Sequence, residues 1–217
     1  MSSNSPGDRA GHAWRWALAG LVAVVALAAA VWPRGDDGGA APVTGQQPAR
    51  SVSGVSGELR AAAGLAECPD ETAPGSGPLA GVTVRCLADG RPIDMAAVLA
   101  GKPALLNLWA YWCAPCAEEL PYVQQYAQRA GNAITVLTVH SDSDEAKALS
   151  RLTGLNIHLP GVFDPDARVR TAVGAPAVLP LSVLIRADGS IADIVVRAFD
   201  SVDDIANTVA EELGVAA

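Results

Sequence analysis

The chain has 217 residues, half of them apolar and 18% charged, enough for one ordinary domain with appendages and too few for two large ones. A formal net charge of −8 excludes the clustered lysine and arginine surface that nucleic-acid binding requires. Four cysteines are too few to staple a fold, so a hydrophobic core must carry it, and the cysteines invite a chemical reading.

In chain order, the first feature is Ala17–Val31, fifteen uncharged residues flanked by Trp14, Trp16 and Trp32. As a helix it rises ~23–26 Å, slightly short of the ~30 Å hydrocarbon core, between a thin anchor and the apolar stretch of a signal peptide. Tryptophan at both ends suits a membrane interface, and Arg9 and Arg15 place the N-terminus in the cytoplasm. Residues 1–32 are therefore expected to form a cytoplasmic stub and a single-pass anchor in the cell membrane, with a cleaved signal peptide and a secreted product as the alternative. Everything after them is expected outside the cytoplasm. Residues 33–57, rich in Gly, Pro, Ser and Gln and poor in large apolar side chains, read as a flexible linker with a reach of about 25–30 Å.

Residues 58–217 carry the pattern of one globular domain that opens irregularly. Val82–Leu87 predicts a strand running into a turn at Asp89-Gly90, and the apolar run Ala104–Ala110 a buried strand. A helix follows Cys113, with Glu118–Ala130 at helical spacing and a kink expected at Pro121. Ala133–Val139 predicts a second buried strand and Asp144–Leu152 a second helix. Leu181–Ile185 and Ile191–Val196, joined through Asp188-Gly189, predict a β-hairpin, and Val202–Leu213 a closing amphipathic helix. The order predicts an α/β fold, a central mixed sheet flanked by helices, with an N-terminal extension.

The most specific signal is Trp112-Cys113-Ala114-Pro115-Cys116, directly after a buried strand. A lone C-x-x-C suits zinc or redox chemistry. Structural zinc needs four ligands, Cys68 and Cys86 do not form a second C-x-x-C, and neither His140 nor His158 completes a histidine pair, so no metal or other cofactor is expected. For disulfide exchange the spacing is apt. A thiolate at a helix N-terminus meets unpaired N–H groups and the positive end of the dipole, which lowers its pKa. Cys113 is then the nucleophile, and Cys116, one turn later, resolves the mixed disulfide.

The segment LLNLWAYWCAPCAEELPY resembles the active-site stretch of thioredoxin-fold proteins, most closely the TlpA/ResA group of membrane-anchored thiol-disulfide oxidoreductases. Leu179-Pro180-Leu181-Ser182-Val183-Leu184-Ile185 resembles the segment in which that fold carries a cis-proline facing the active site. The likeness covers about residues 78–213. It implies that Pro180 is the cis-proline, that Leu179 offers its backbone to an extended substrate beside Trp112, and that Glu119 helps set the thiol pKa values. Two departures stand out. Asn107 replaces the buried aspartate of ordinary thioredoxins and cannot exchange a proton, which leaves proton transfer to Glu119 or solvent. Leu181 replaces the commoner threonine, which predicts a more apolar substrate rim.

Cys68 and Cys86 flank a Pro/Gly-rich segment and, outside the cytoplasm, are expected to be oxidised together as a structural disulfide; a second redox pair relaying electrons and free thiols are the alternatives. The expected function is a membrane-tethered thiol-disulfide oxidoreductase acting on protein clients. The resemblance implies a reductase served by a membrane electron-transfer protein, with a role in cytochrome c maturation. A disulfide-forming oxidase and a copper-binding assembly chaperone are the competing readings.

Overall fold

The computed structural model describes residues 55–216. The expected anchor at Ala17–Val31 and the linker up to residue 54 lie outside them. Among the described residues no helix is long and apolar enough to cross a membrane.

Seven strands form one mixed sheet in the order β2-β1-β5-β4-β3-β6-β7. The strands are β1 (Thr83–Cys86), β2 (Pro92–Asp94), β3 (Ala104–Trp109), β4 (Thr135–His140), β5 (Gly161–Phe163), β6 (Leu181–Ile185) and β7 (Ile191–Val195). β3 runs parallel to β4 and antiparallel to β6, and every one of its residues is buried, as a strand covered on both faces requires. Its side chains alternate. Leu105 and Trp109 enter one apolar cluster, Ala104, Leu106 and Leu108 the other. This is the expected mixed sheet with helices on both faces.

The first cluster is covered by α1 (Gly57–Ala63), α3 (Ala114–Ala130), α4 (Glu145–Gly154) and α6 (Val202–Leu213); the short α2 (Met95–Val98) and α5 (Arg168–Ala172) cover the second. Each long helix is capped by a residue written for it. Asp144 accepts from the Lys147 amide to start α4, and Ser201 accepts from the Asp204 amide to start α6, which ends on Gly214 in the left-handed region. Burying Ile205 and Val209 of α6 stabilises by about 1.5–3 kcal/mol each.

The structure differs from the sequence reading at several edges. Helix α3 begins at Ala114, directly after Cys113 as expected, and Pro115 is accommodated in its first turn, where a missing N–H has no partner to lose. It runs on through Pro121 to Ala130, and a 3₁₀ turn at Gly131–Ala133 delays β4 to Thr135. The end of the expected linker belongs to α1, since Ser56 caps that helix. Arg60 on α1 is buried, donating to Leu87 O at 2.7 Å and to Glu145 Oε1 at 2.6 Å, while Arg85 reaches Glu145 Oε2 at 3.1 Å. One buried carboxylate thus locks the first helix onto α4 and β1.

Candidate active site

The parallel and antiparallel neighbours of β3 deliver the loop after Trp109, the loop before β6 and the end of β7 to one pole of the sheet. At that pole Cys113 is the N-cap of α3. Its Sγ lies 3.3 Å from the Cys116 amide, which donates to it, and its own amide donates to Ala110 O. Cys113 and Cys116 are joined in a disulfide with Cα atoms 5.3 Å apart. Cys113 is 5% exposed and Cys116 fully buried, so the outer sulfur is the one a partner can reach. The helix N-terminus aims free amides at Cys113, which favours its thiolate when the pair is reduced.

Leu179-Pro180 is a cis peptide, on the loop that enters β6. The backbone of Leu179 makes no hydrogen bond to other described residues. Trp112 stands 60% exposed beside the cysteines, its indole N–H donating to Asp142 Oδ2 at 3.0 Å. Leu181, by contrast, is no part of a substrate rim: it is wholly buried in the second apolar cluster, because the residue after Pro180 is already in register with Leu108. The exposed apolar side chains at this pole are Trp112, Val178 and Val196.

Behind the disulfide, Asn107 and Glu119 meet. Asn107 shares the β3 face of Leu105 and Trp109, and its Nδ2 donates to Glu119 Oε1 at 2.7 Å and to Ser182 Oγ at 3.3 Å. Glu119 Oε2 accepts the Phe199 amide at 2.9 Å. The carboxyl is 1% exposed, and burial pushes its pKa up against those two hydrogen bonds and the charge of Arg197. Glu119 is three residues beyond Cys116 on one helix and buried on the same side, so the two side chains are neighbours. A buried carboxylate there opposes a second negative charge on sulfur.

His140, at the end of β4, is buried beside Trp109 and Phe163, and its Nε2 accepts the Tyr111 amide at 3.3 Å. Burial lowers its pKa to about 4, against the pull of Asp142 and Asp144. That bond fixes the loop leading to Trp112, a positioning contact the sequence did not disclose. His158 is occupied elsewhere, against Gly64 O and Asn156 Oδ1. Cys68 and Cys86 form a second disulfide inside the other apolar cluster.

Comparison with known proteins agrees with this geometry. The thiol-disulfide oxidoreductase ResA of Bacillus subtilis (strain 168) is 28% identical over 108 residues, 49% of this chain and 59% of ResA. The thiol:disulfide interchange protein DsbE of Yersinia pestis is 32% identical over 103 residues, 47% of this chain and 53% of DsbE. The chain thus spans little more than half the length of these curated relatives. Among solved structures, a secreted disulfide oxidoreductase of Mycobacterium tuberculosis, described as homologous to E. coli DsbE, matches with TM-score 0.52 and 31% identity over 59% of this chain and 94% of that one. The exposed lipoprotein thioredoxin Etrx1 of Streptococcus pneumoniae strain TIGR4 matches with TM-score 0.52 and 27% identity over 59% and 97%. The fold is thioredoxin-like. Residues 69–210, well over half of the chain and the stretch that contains both the cysteine pair and the Leu179-Pro180 loop, match the family described as Redoxin, and the chain belongs to that family.

Proposed function

We propose that the protein is a thiol-disulfide oxidoreductase of the ResA/DsbE type that reduces disulfides in protein clients outside the cytoplasm, tethered to the membrane by Ala17–Val31. The observation that carries this reading is the placement of Cys113 at the N-cap of α3, with Cys116 buried one turn behind it and the unpaired Leu179 backbone on the adjoining loop. In the reduced protein the Cys113 thiolate attacks a client disulfide, forming a mixed disulfide and releasing one client thiolate. Cys116, losing its proton, attacks Cys113 Sγ, breaks the mixed disulfide and releases the second client thiolate. Two electrons pass to the client, its two thiolates take up protons, and the protein is left with the Cys113–Cys116 disulfide. During the exchange an extended client segment pairs with Leu179 beside Trp112.

Glu119 supports the reducing direction. Once ionised, the buried Glu119 carboxylate beside Cys116 disfavours thiolate in the reduced state, and destabilising the reduced form makes a dithiol a better reductant. A pair that reduces clients must itself be re-reduced, which calls for a membrane electron-transfer protein. The likeness to the TlpA/ResA group supports apocytochrome c as client. Cys68–Cys86 holds the irregular segment before β1 and takes no part in electron transfer.

The test is the reduction potential of the Cys113–Cys116 pair in the full chain, equilibrated against thioredoxin and glutathione buffers. A value near or below about −250 mV supports a reductant. A value near about −120 mV marks an oxidant that forms disulfides in clients and sinks the cytochrome c reading.

A further inference from the structure

Resting on that reading, we propose that Arg170 selects clients that carry an acidic side chain close to the reacting cysteine. Between Trp112 and Leu179 runs a groove of about 430 Å³, open to solvent at the active-site pole. Its apolar wall is Trp112, Val178 and Leu179; its polar members include Arg170 and Ser141. Two of the three exposed large apolar side chains among the described residues, Trp112 and Val178, lie along it, and the third, Val196, lies at the same pole. A groove with an apolar wall and the unpaired backbone of Leu179 suits an extended polypeptide.

The charge in this groove gives it a preference. Most described lysines and arginines are held by a carboxylate: Arg60 and Arg85 by Glu145, Arg91 by Asp70 and Asp89, Arg129 by Asp203, Lys147 by Asp144, Arg168 by Asp166 and Arg197 by Asp204. Lys102, Arg151, Arg170 and Arg186 have no described carboxylate within reach, and of these only Arg170 is partly buried. Its one hydrogen bond is a long one, 3.5 Å from Nη1 to Ala175 O. A partly desolvated guanidinium without a counter-charge is a poor arrangement for the free protein and a good one for binding a carboxylate in two-pronged fashion. Ser141, lining the same groove, keeps a buried hydroxyl with no partner among the described residues. The protein has net charge −8, so an acidic client is repelled over most of the surface and attracted at this groove. Arg170 therefore fixes register as well as sign.

The experiment uses the reduced full chain and short peptides closed by a disulfide, with Asp, Asn or Lys moved through the positions flanking one cysteine. At the favoured position kcat/KM for the Asp peptide exceeds that for the Asn peptide by about tenfold, the size of one charge-assisted hydrogen bond, and the preference weakens as salt is raised. R170Q brings the Asp-to-Asn ratio close to one, R170K keeps part of it, and R170E reverses the order in favour of Lys, which only a folded protein can do. Wild-type protein that reduces all peptides equally at every position, or R170Q that keeps the full preference, overturns the role of Arg170 while leaving the oxidoreductase intact. Wild-type protein that reduces none of them overturns the oxidoreductase reading and this proposal together.

Discussion

The chain carries two disulfides that exposure cannot tell apart. Cys113 is 5% exposed and Cys68 4%, while Cys116 and Cys86 are both fully buried. What separates them is the backbone around each. Cys113 and Cys116 share one helical turn, with free amides at Cys113, a buried carboxyl at Glu119 and an open groove alongside. Cys68 and Cys86 are 18 residues apart, join an irregular segment to β1, and lie among Leu79, Ile93, Met95 and Val162 with no helix terminus at either sulfur. A difference in reactivity is therefore expected to track the electrostatics available to a thiolate rather than the area of sulfur showing. On the proposed function, the same bond is chemistry at one place and a cross-link at the other.

The sharpest way to break that contrast is to remove one sulfur from each pair. Cys113→Ser should lower reduction of a client disulfide by on the order of 10³ or more, because Cys113 is the outer sulfur of the pair and Cys116 behind it is fully buried. Cys116→Ser should leave the first attack and remove the second, so mixed disulfides with clients accumulate and are seen as added mass in non-reducing mass spectrometry. Unchanged turnover in both variants would move the active site away from α3. Cys68→Ser should act on the other quantity, lowering unfolding free energy by about 3 kcal/mol for a loop of this length, read from denaturant melts, with the potential of the Cys113–Cys116 pair nearly unmoved. A large shift in that potential would make the second pair a relay.

The same division explains what could be read from the sequence. Strand β3, helix α3, the β6–β7 hairpin and α6 are long apolar or amphipathic runs with local punctuation, so their pattern is their own. Helix α1, β2, β5 and α5 are short and owe their existence to distant residues. Arg60 finds Glu145 across 85 positions, and β5 is three residues seated between β4 and β1. At the site, the cysteines announce themselves by spacing, and the Leu179-Pro180 loop by its resemblance to the segment that carries the cis-proline in the thioredoxin fold. The burial of Glu119 rests on Asn107 and on the Phe199 amide 80 residues away, and nothing local in the sequence states it. Leu181 misled for a related reason: it follows the cis Leu179-Pro180 peptide directly, but strand alternation and the register with Leu108 turn it inward.

A smaller effect sharpens the contrast through pH. His140 is neutral in the fold, its pKa lowered to about 4 from an ordinary 6.5. The unfolded chain therefore binds the proton first, so the stability His140 contributes is complete above about pH 6.5 and is lost as pH falls toward 4, by at most about 3 kcal/mol. His140→Asn should flatten the stability profile across that window in urea melts. Glu119 acts in the opposite sense, since a carboxyl whose pKa is raised above 4.5 makes the fold lose stability as pH rises through its ionisation. A profile in His140→Asn as steep as that of the wild type would place the acid-sensitive group elsewhere.

The last prediction joins the carboxyl to the thiols. Glu119→Gln keeps an acceptor for the Phe199 amide, turns its NH2 toward Asn107, whose unpartnered Oδ1 can accept it once that side-chain amide flips, and removes a charge that forms only when Glu119 ionises. Below that ionisation the wild-type side chain is neutral too, so the potentials of wild type and variant should coincide on the acid side. Above it the wild-type carboxylate disfavours thiolate at Cys116, the variant does not, and the reduced form of the variant is relatively more stable. Its potential should then lie above the wild type's by about 30 mV, which corresponds to about 1.4 kcal/mol for two electrons. Two curves that separate only toward alkaline pH would tie the reducing power of the pair to one buried charge. Parallel curves at every pH would assign the difference to packing around Cys116, and coincident curves would leave Glu119 as a structural strut between α3 and Phe199.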